Sequence, residues 1–184
     1  LEQAAQAEVV HLALEGGGLE SDGQGTLLTT SECLLSPNRN PHLSRLQTEQ
    51  RLKQLFGLQR ILWLDQGYLA GDDTDSHIDT LARFCDADTI AYVQCHDPAD
   101  EHYEALRAME AQLRGFVTAE GRPYRLVPLP MPDACFAEDG HRLPATYANF
   151  LIINGALLVP VYGLPQDAAA LEALTGCFPD RELV

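Results

Sequence analysis

The chain has 184 residues, 46% hydrophobic and 21% charged, which suits one globular domain with a real core and excludes a disordered segment. Twelve Lys and Arg stand against 27 Asp and Glu, a formal charge of −15, so nucleic acid is excluded as a partner while a small cation is permitted. No apolar run is long enough to cross a bilayer, since the best, from Phe150 to Tyr162, is broken by Asn154, Gly155 and Pro160.

Read in chain order, residues 9–14 form a strand-like apolar run. Asp22-Gly-Gln-Gly25 is a turn signal, and 26–35 reads as the returning strand. Ser44 and Gln47 have capping-box spacing and start a helix, with Leu46, Leu52, Leu55 and Phe56 largely on one side and Gly57 at its end. A short buried strand follows at 61–64. The order then repeats: a strand at 77–84, a turn at 86–88, a strand at 89–95, and a helix at 100–113 with Tyr103, Leu106, Met109 and Leu113 as its buried stripe. Glu110 lies on the edge of that stripe, and 124–129 closes the unit. It repeats once more as strands at 147–153 and 156–161 around Asn154-Gly155, a helix at 166–174, and a strand beginning at 181–184. The chain therefore reads as an α/β fold of three ββαβ units, at 9–64, 77–129 and 147–184, within one domain spanning 1–184. Three such units make an open arc, and a chain ending inside the last strand is expected to be part of a longer one.

The five cysteines, Cys33, Cys85, Cys95, Cys135 and Cys177, are odd in number and include no C-x-x-C pair, so neither a disulfide framework nor a zinc site is indicated. Reduced thiols fit a cytoplasmic protein. No signal peptide is visible, although the chain opens on Leu1 rather than Met, which points to a natural start further upstream.

Three segments carry chemistry. In Leu14-Glu-Gly-Gly-Gly18 a carboxylate ends an apolar run, followed by glycines that permit close backbone approach to a ligand; a turn with an exposed Glu15 is the plainer alternative. In Gly71-Asp-Asp-Thr-Asp-Ser-His-Ile-Asp79, His77 and Asp79 share one face if the segment is a strand, pairing an acid/base with a carboxylate that can hold a cation. A solvated loop, above all at Asp72, and a divalent metal site at Asp75, His77 and Asp79 remain open alternatives. Asn149 precedes a strand that reads as wholly buried, and a buried amide needs a backbone or ligand partner. Glu15, His77 and Asn149 hold matching places in successive units, so a common axis would bring them to one pocket.

Leu14-Glu-Gly-Gly17, Gly25-Thr-Leu-Leu-Thr-Thr30, Asn38-Arg-Asn-Pro-His-Leu43, Asp73-Thr-Asp-Ser-His-Ile-Asp79, Tyr147-Ala-Asn-Phe150 and Phe178-Pro-Asp-Arg-Glu182 resemble the agmatine deiminase and bacterial peptidylarginine deiminase family over nearly the whole chain. The resemblance implies a pentein-type α/β propeller of five ββαβ units, about three of them in this chain. It implies conversion of a guanidinium to a ureido group with release of ammonia, agmatine giving N-carbamoylputrescine, through a covalent cysteine thiouronium and without metal or organic cofactor. His77 matches the general acid/base, Asp79 a carboxylate that grips the guanidinium, Glu15 the acidic residue beside them, and Asn149 a pocket residue. A second gripping Asp belongs upstream and the nucleophilic Cys downstream of these 184 residues, so the chain alone is expected to be inactive. The implied partner is a small cationic guanidine, peptidylarginine being the alternative. A binding protein of the same fold would not need Glu15, His77 and Asp79. The sequence leaves open whether the protein is a homo-oligomer.

Overall fold

The computed structural model describes residues 9–184, and residues 1–8, which the one-domain reading includes, lie outside the described residues. A 3-10 turn, Gly16–Gly18, leads into β1 (Glu20–Ser21). Asp22 Oδ1 accepts the N–H groups of Gln24 and Thr26, turning the chain into β2 (Thr26–Thr30). The strand stops there because Thr30 Oγ1 accepts the N–H of Cys33 and starts α1 (Ser31–Leu34). The Ser44 capping box opens α2 (Arg45–Phe56), Gly57 ends it in the left-handed conformation (φ 66°), and β3 (Arg60–Leu64) returns parallel to β2.

The same order recurs twice. A second 3-10 turn, Ile78–Thr80, precedes β4 (Ala82–Phe84), β5 (Thr89–Gln94), α3 (Tyr103–Arg114) and β6 (Arg125–Pro130). A small hairpin, β7 (Cys135–Phe136) and β8 (Arg142–Leu143), separates these from β9 (Leu151–Ile153), β10 (Ala156–Leu158), α4 (Asp167–Cys177) and β11 (Glu182–Leu183). In each three-stranded sheet the first strand runs antiparallel to the middle one, and the strand after the long helix runs parallel to it. A parallel neighbour needs a crossover connection, which the helix supplies.

One buried cluster runs through all three units, from Leu28 and Leu64 through Ile90 and Leu113 to Phe150 and Leu174. The three first-strand edges meet at a single guanidinium. Arg83 on β4 donates from Nε to Glu20 Oε2 on β1 at 2.7 Å and from Nη1 to the Phe150 carbonyl just before β9 at 2.6 Å. Glu20 Oε1 also accepts the N–H of Phe84. Burial pushes the Glu20 carboxyl above its ordinary range despite the ion pair, the balance expected when a charge leaves water.

Several expectations need correction. Residues 9–14 are not a strand: both backbone groups of Ala13 bond to the Asn40 side-chain amide, which stands in for a neighbouring strand. The span 26–35 splits into β2 and α1 at the Thr30 cap. In α2 only Thr48 and Leu52 are buried, while Leu46 is 65% and Phe56 52% exposed. Residues 77–84 begin with a 3-10 turn, so strand alternation does not set the direction of His77 and Asp79. β9 is not wholly buried, Leu151 being 56% exposed, because one face of its sheet has no covering element among the described residues. Of the expected α3 stripe, Leu106, Met109 and Leu113 are buried, while Tyr103 is only partly buried. Glu110 beside it accepts hydrogen bonds from Gln94 and Arg114, which is how a carboxylate tolerates that edge.

Candidate active site

The loop that delivers His77 is held in an unusual backbone conformation. Asp75 and Ser76 both have positive φ, 59° and 57°, a left-handed conformation that costs free energy in residues other than glycine. Side chains from two units hold it. Asp72 accepts from the Ser76 N–H at 2.6 Å and from the Thr74 hydroxyl, so it is a loop organiser and not a solvated acid. Thr30 Oγ1 donates to the Ser76 carbonyl at 2.7 Å, and Ser76 Oγ donates to Glu32. Arg39 completes the clamp, donating to Asp75 Oδ2 at 2.7 Å, the Thr74 carbonyl at 2.9 Å and the Cys33 carbonyl at 3.1 Å.

The fork of Arg39 also holds Glu15. Its Nε lies 2.8 Å from Glu15 Oε2, and His77 Nε2 lies 2.8 Å from the same oxygen. Hydrogen bonds from His77 and then Arg39 lower the Glu15 pKa, and the Arg39 bond likewise lowers that of Asp75. Asp79 is in the opposite situation. Burial pushes its carboxyl above the usual range, with Arg83 and His77 pulling the other way, and no side-chain hydrogen bond or ion pair reaches it among the described residues.

Gly17 sits where the His77 and Asp79 side chains need the room. A methyl group there would lie 2.5 Å from His77 Nδ1 and 2.7 Å from Asp79 Oδ2, so any larger residue displaces one or both of these side chains. The structure thus brings Glu15, His77 and Asp79 together around the turn before β1. Glu15 meets the Nε2 side of His77, and Asp79 lies beside the same Gly17 position as Nδ1. Asn149 is not the buried amide expected: its side chain is exposed, because the segment before β9 buries Tyr147, Ala148 and Phe150 and turns position 149 outward.

Two neighbours escaped the sequence. Arg39 lies in the Asn38–Leu43 stretch and could have been suspected only as an excess guanidinium near acidic loops. Cys33 lies behind Glu15 and His77, the ligand atoms of the three being within 4.8 Å of one another. Burial raises the Cys33 thiol pKa to about 11 and the side chain is fully enclosed, so it is a poor nucleophile at neutral pH. Glu15, Cys33 and His77 are the one group with metal-ligand spacing among the described residues, but Arg39 sets a fixed positive charge against the Glu15 carboxylate, which disfavours a cation beside it. The alternative set of Asp75, His77 and Asp79 does not assemble, since Asp75 turns to Arg39.

A crystal structure from Porphyromonas gingivalis, provisionally assigned as an arginine deiminase, superposes with a TM-score of 0.91 at 58% identity, covering 94% of this chain and 51% of that one. A C. jejuni agmatine deiminase carrying a cysteine-to-serine substitution, solved with substrate bound, gives a TM-score of 0.88 at 44% identity over 95% of this chain and 50% of that one. The agmatine deiminase of Pseudomonas fluorescens strain Pf-5 is 33% identical across 100% of this chain and 54% of its own length. The chain spans about half the length of the curated relatives it matches. With a family model matching residues 1–184, the chain belongs to the Porphyromonas-type peptidyl-arginine deiminase family.

Proposed function

We propose that this chain forms part of a guanidine deiminase that converts agmatine to N-carbamoylputrescine and ammonia. The observation that carries the proposal is Asp79, a half-buried carboxylate next to His77 with no cation paired to it among the described residues. A buried anion without a partner is costly, and a planar guanidinium offering two parallel N–H groups is the ligand that relieves it. Glu15 has one oxygen engaged by Arg39 and His77 and keeps Oε1 for a second contact with the substrate. Asn149, exposed at the start of β9, is assigned the rim of the pocket.

In this mechanism a thiolate attacks the central guanidinium carbon and a tetrahedral intermediate forms. His77 protonates the departing amine, and ammonia leaves a thiouronium. The imidazole then takes a proton from water, which attacks the same carbon and releases the ureido product. The substrate's positive charge beside the thiol favours thiolate. Relatives named agmatine deiminase support the reaction, and the cysteine-to-serine variant of one of them with substrate bound supports a thiol nucleophile. Cys33 is the thiol nearest His77 but its raised pKa argues against it, so the attacking cysteine is assigned to sequence outside these residues. The shared order of the three sheets supports reading them as three of the five blades of a pentein-type propeller. The five unpaired cysteines support a cytoplasmic setting.

Peptidylarginine is the second candidate substrate, favoured by the description of the family model. The test is ammonia release from agmatine and from an arginyl peptide, by the 184-residue chain and by the protein at the length of its relatives. The long form should turn over agmatine faster than peptide, and His77→Ala should reduce this by about 10²–10⁴-fold. The short chain should show no turnover, since loss of a nucleophile costs on the order of 10⁶ in a well-studied hydrolase. Alkylation-sensitive turnover by the short chain would move the nucleophile to one of its own cysteines, and faster turnover of peptide would reverse the substrate assignment.

A further inference from the structure

Cys85 and Cys177 come from distant parts of the sequence and meet away from the His77 site. Cys85 opens the turn between β4 and β5, its N–H fixed on the Thr89 carbonyl at 2.9 Å. Cys177 is the last residue of α4, which packs on β6 of the same sheet. Both border one open cavity of about 380 Å³ together with Gly155, Phe178 and Arg181. A peroxide-sized molecule can therefore reach a two-sulfur cluster that is otherwise embedded in apolar core.

We propose that Cys85 and Cys177 are a redox-active dithiol, Cys177 reacting first with a small peroxide and Cys85 resolving the product into a disulfide that ties the second unit to the third.

The electrostatics favour that division of labour. Interaction with the neighbouring Cys85 thiol is the largest influence lowering the Cys177 thiol pKa. Burial opposes it, the Arg125 guanidinium assists and Asp86 opposes. The same interaction and burial push Cys85 upward, so it stays protonated. Cys33 and Cys95 are raised by burial, and Cys135 stands alone on β7.

The chemistry balances with hydrogen peroxide as oxidant. The Cys177 thiolate attacks one peroxide oxygen, the O–O bond breaks, and a sulfenic acid forms as hydroxide leaves and is protonated to water. Cys85 then attacks the Cys177 sulfur, the S–O bond breaks, and the Cys85 proton leaves with the hydroxyl as a second water. Two thiols are oxidised and one peroxide is reduced.

The test is to treat the intact protein with one equivalent of hydrogen peroxide at pH 7, block free thiols, digest without reductant and map the peptides by mass spectrometry. A peptide linking Cys85 to Cys177 should form, disappear on reduction, and accumulate about five-fold faster than oxidation at the lone Cys135, which has no neighbouring thiol to resolve it. Cys85→Ser should leave Cys177 as a sulfenic acid that dimedone traps, while Cys177→Ser should leave Cys85 unmodified. No linked peptide, a link forming no faster than Cys135 oxidises, or no dimedone adduct at Cys177 in Cys85→Ser would each overturn the proposal. The wild-type reading stands by itself if either variant fails to fold.

Discussion

Glu15 and Asp79 lie on either side of His77, and the protein treats the two carboxylates in opposite ways. Glu15 has a side chain 51% exposed to water, yet one of its oxygens is bonded by Arg39 and His77 and its pKa is lowered. Asp79 is the more enclosed of the two, has no side-chain partner among the described residues, and has its pKa raised by burial. A site built only for stability would have spread the counter-charge the other way. On the function proposed above, placing the internal guanidinium on the exposed acid serves to orient His77 and to leave the enclosed acid for an external guanidinium, at some cost to the folded state.

The largest effect expected within this comparison is at Gly17. A methyl group there collides with His77 Nδ1 and Asp79 Oδ2 together, so in the protein at the length of its relatives Gly17→Ala should lower kcat/KM for agmatine by about 10²-fold or more. Normal kinetics in that variant would mean that the two side chains need not be held as the structure has them.

Arg39→Lys sharpens the other side. A lysine keeps the charge but not the fork that bonds Glu15, Asp75 and two carbonyls at once. The expected result is about a tenfold fall in kcat with KM little changed, because His77 loses its orientation while Asp79 keeps its hold on substrate. A fall confined to KM would assign Arg39 and Glu15 to substrate binding instead.

Much of this arrangement is legible in the sequence, and what is not depends on contacts between distant residues. The capping box at Ser44, Gly57 after α2 and the repeated strand, turn and helix signals are local patterns, and the three sheets carry them in the expected order. The strand assigned to 9–14 fails because its backbone partner is the Asn40 side chain, which no local pattern reveals. Strand alternation puts His77 and Asp79 on one face, whereas a 3-10 turn around Ile78 aims them. The left-handed Asp75 and Ser76 were invisible because neither is a glycine, the residue that normally marks such backbone. Arg39 and Cys33 belong to the first unit and act on a loop of the second, so only the assembled units bring them to His77. Asn149 held a matching place in its unit, but its neighbours turn inward and leave it at the surface.

The smallest effect concerns stability, where the two carboxylates should differ in sign. The lowered Glu15 carboxyl contributes stability that is present above its unfolded value, near 4, and is lost as pH falls through its folded pKa. The raised Asp79 carboxyl binds its proton more tightly in the folded chain. Its contribution is fully present below the unfolded value and is lost as pH rises through the folded pKa. Asp79→Asn should therefore have a higher thermal midpoint than the parent at pH 7, by a degree or a few, with the gain shrinking toward pH 4. Glu15→Gln should be the less stable variant at pH 7 and approach the parent in acid. Equal pH profiles for the two variants would erase the distinction.

The most direct measurement of the central claim is steady-state ammonia release from agmatine by Asp79→Asn and Glu15→Gln, side by side in the protein at the length of its relatives. Asparagine at 79 keeps the shape and removes the charge, so KM should rise and kcat/KM should fall by about 10²-fold, in line with about 2–5 kcal/mol for losing one partner of a buried charge pair. Glutamine at 15 should act mainly on kcat, with KM within a few-fold of the parent. If Glu15→Gln carries the larger KM effect while Asp79→Asn keeps its affinity for agmatine, the guanidinium is held by the exposed acid, and the roles assigned to the two carboxylates are reversed.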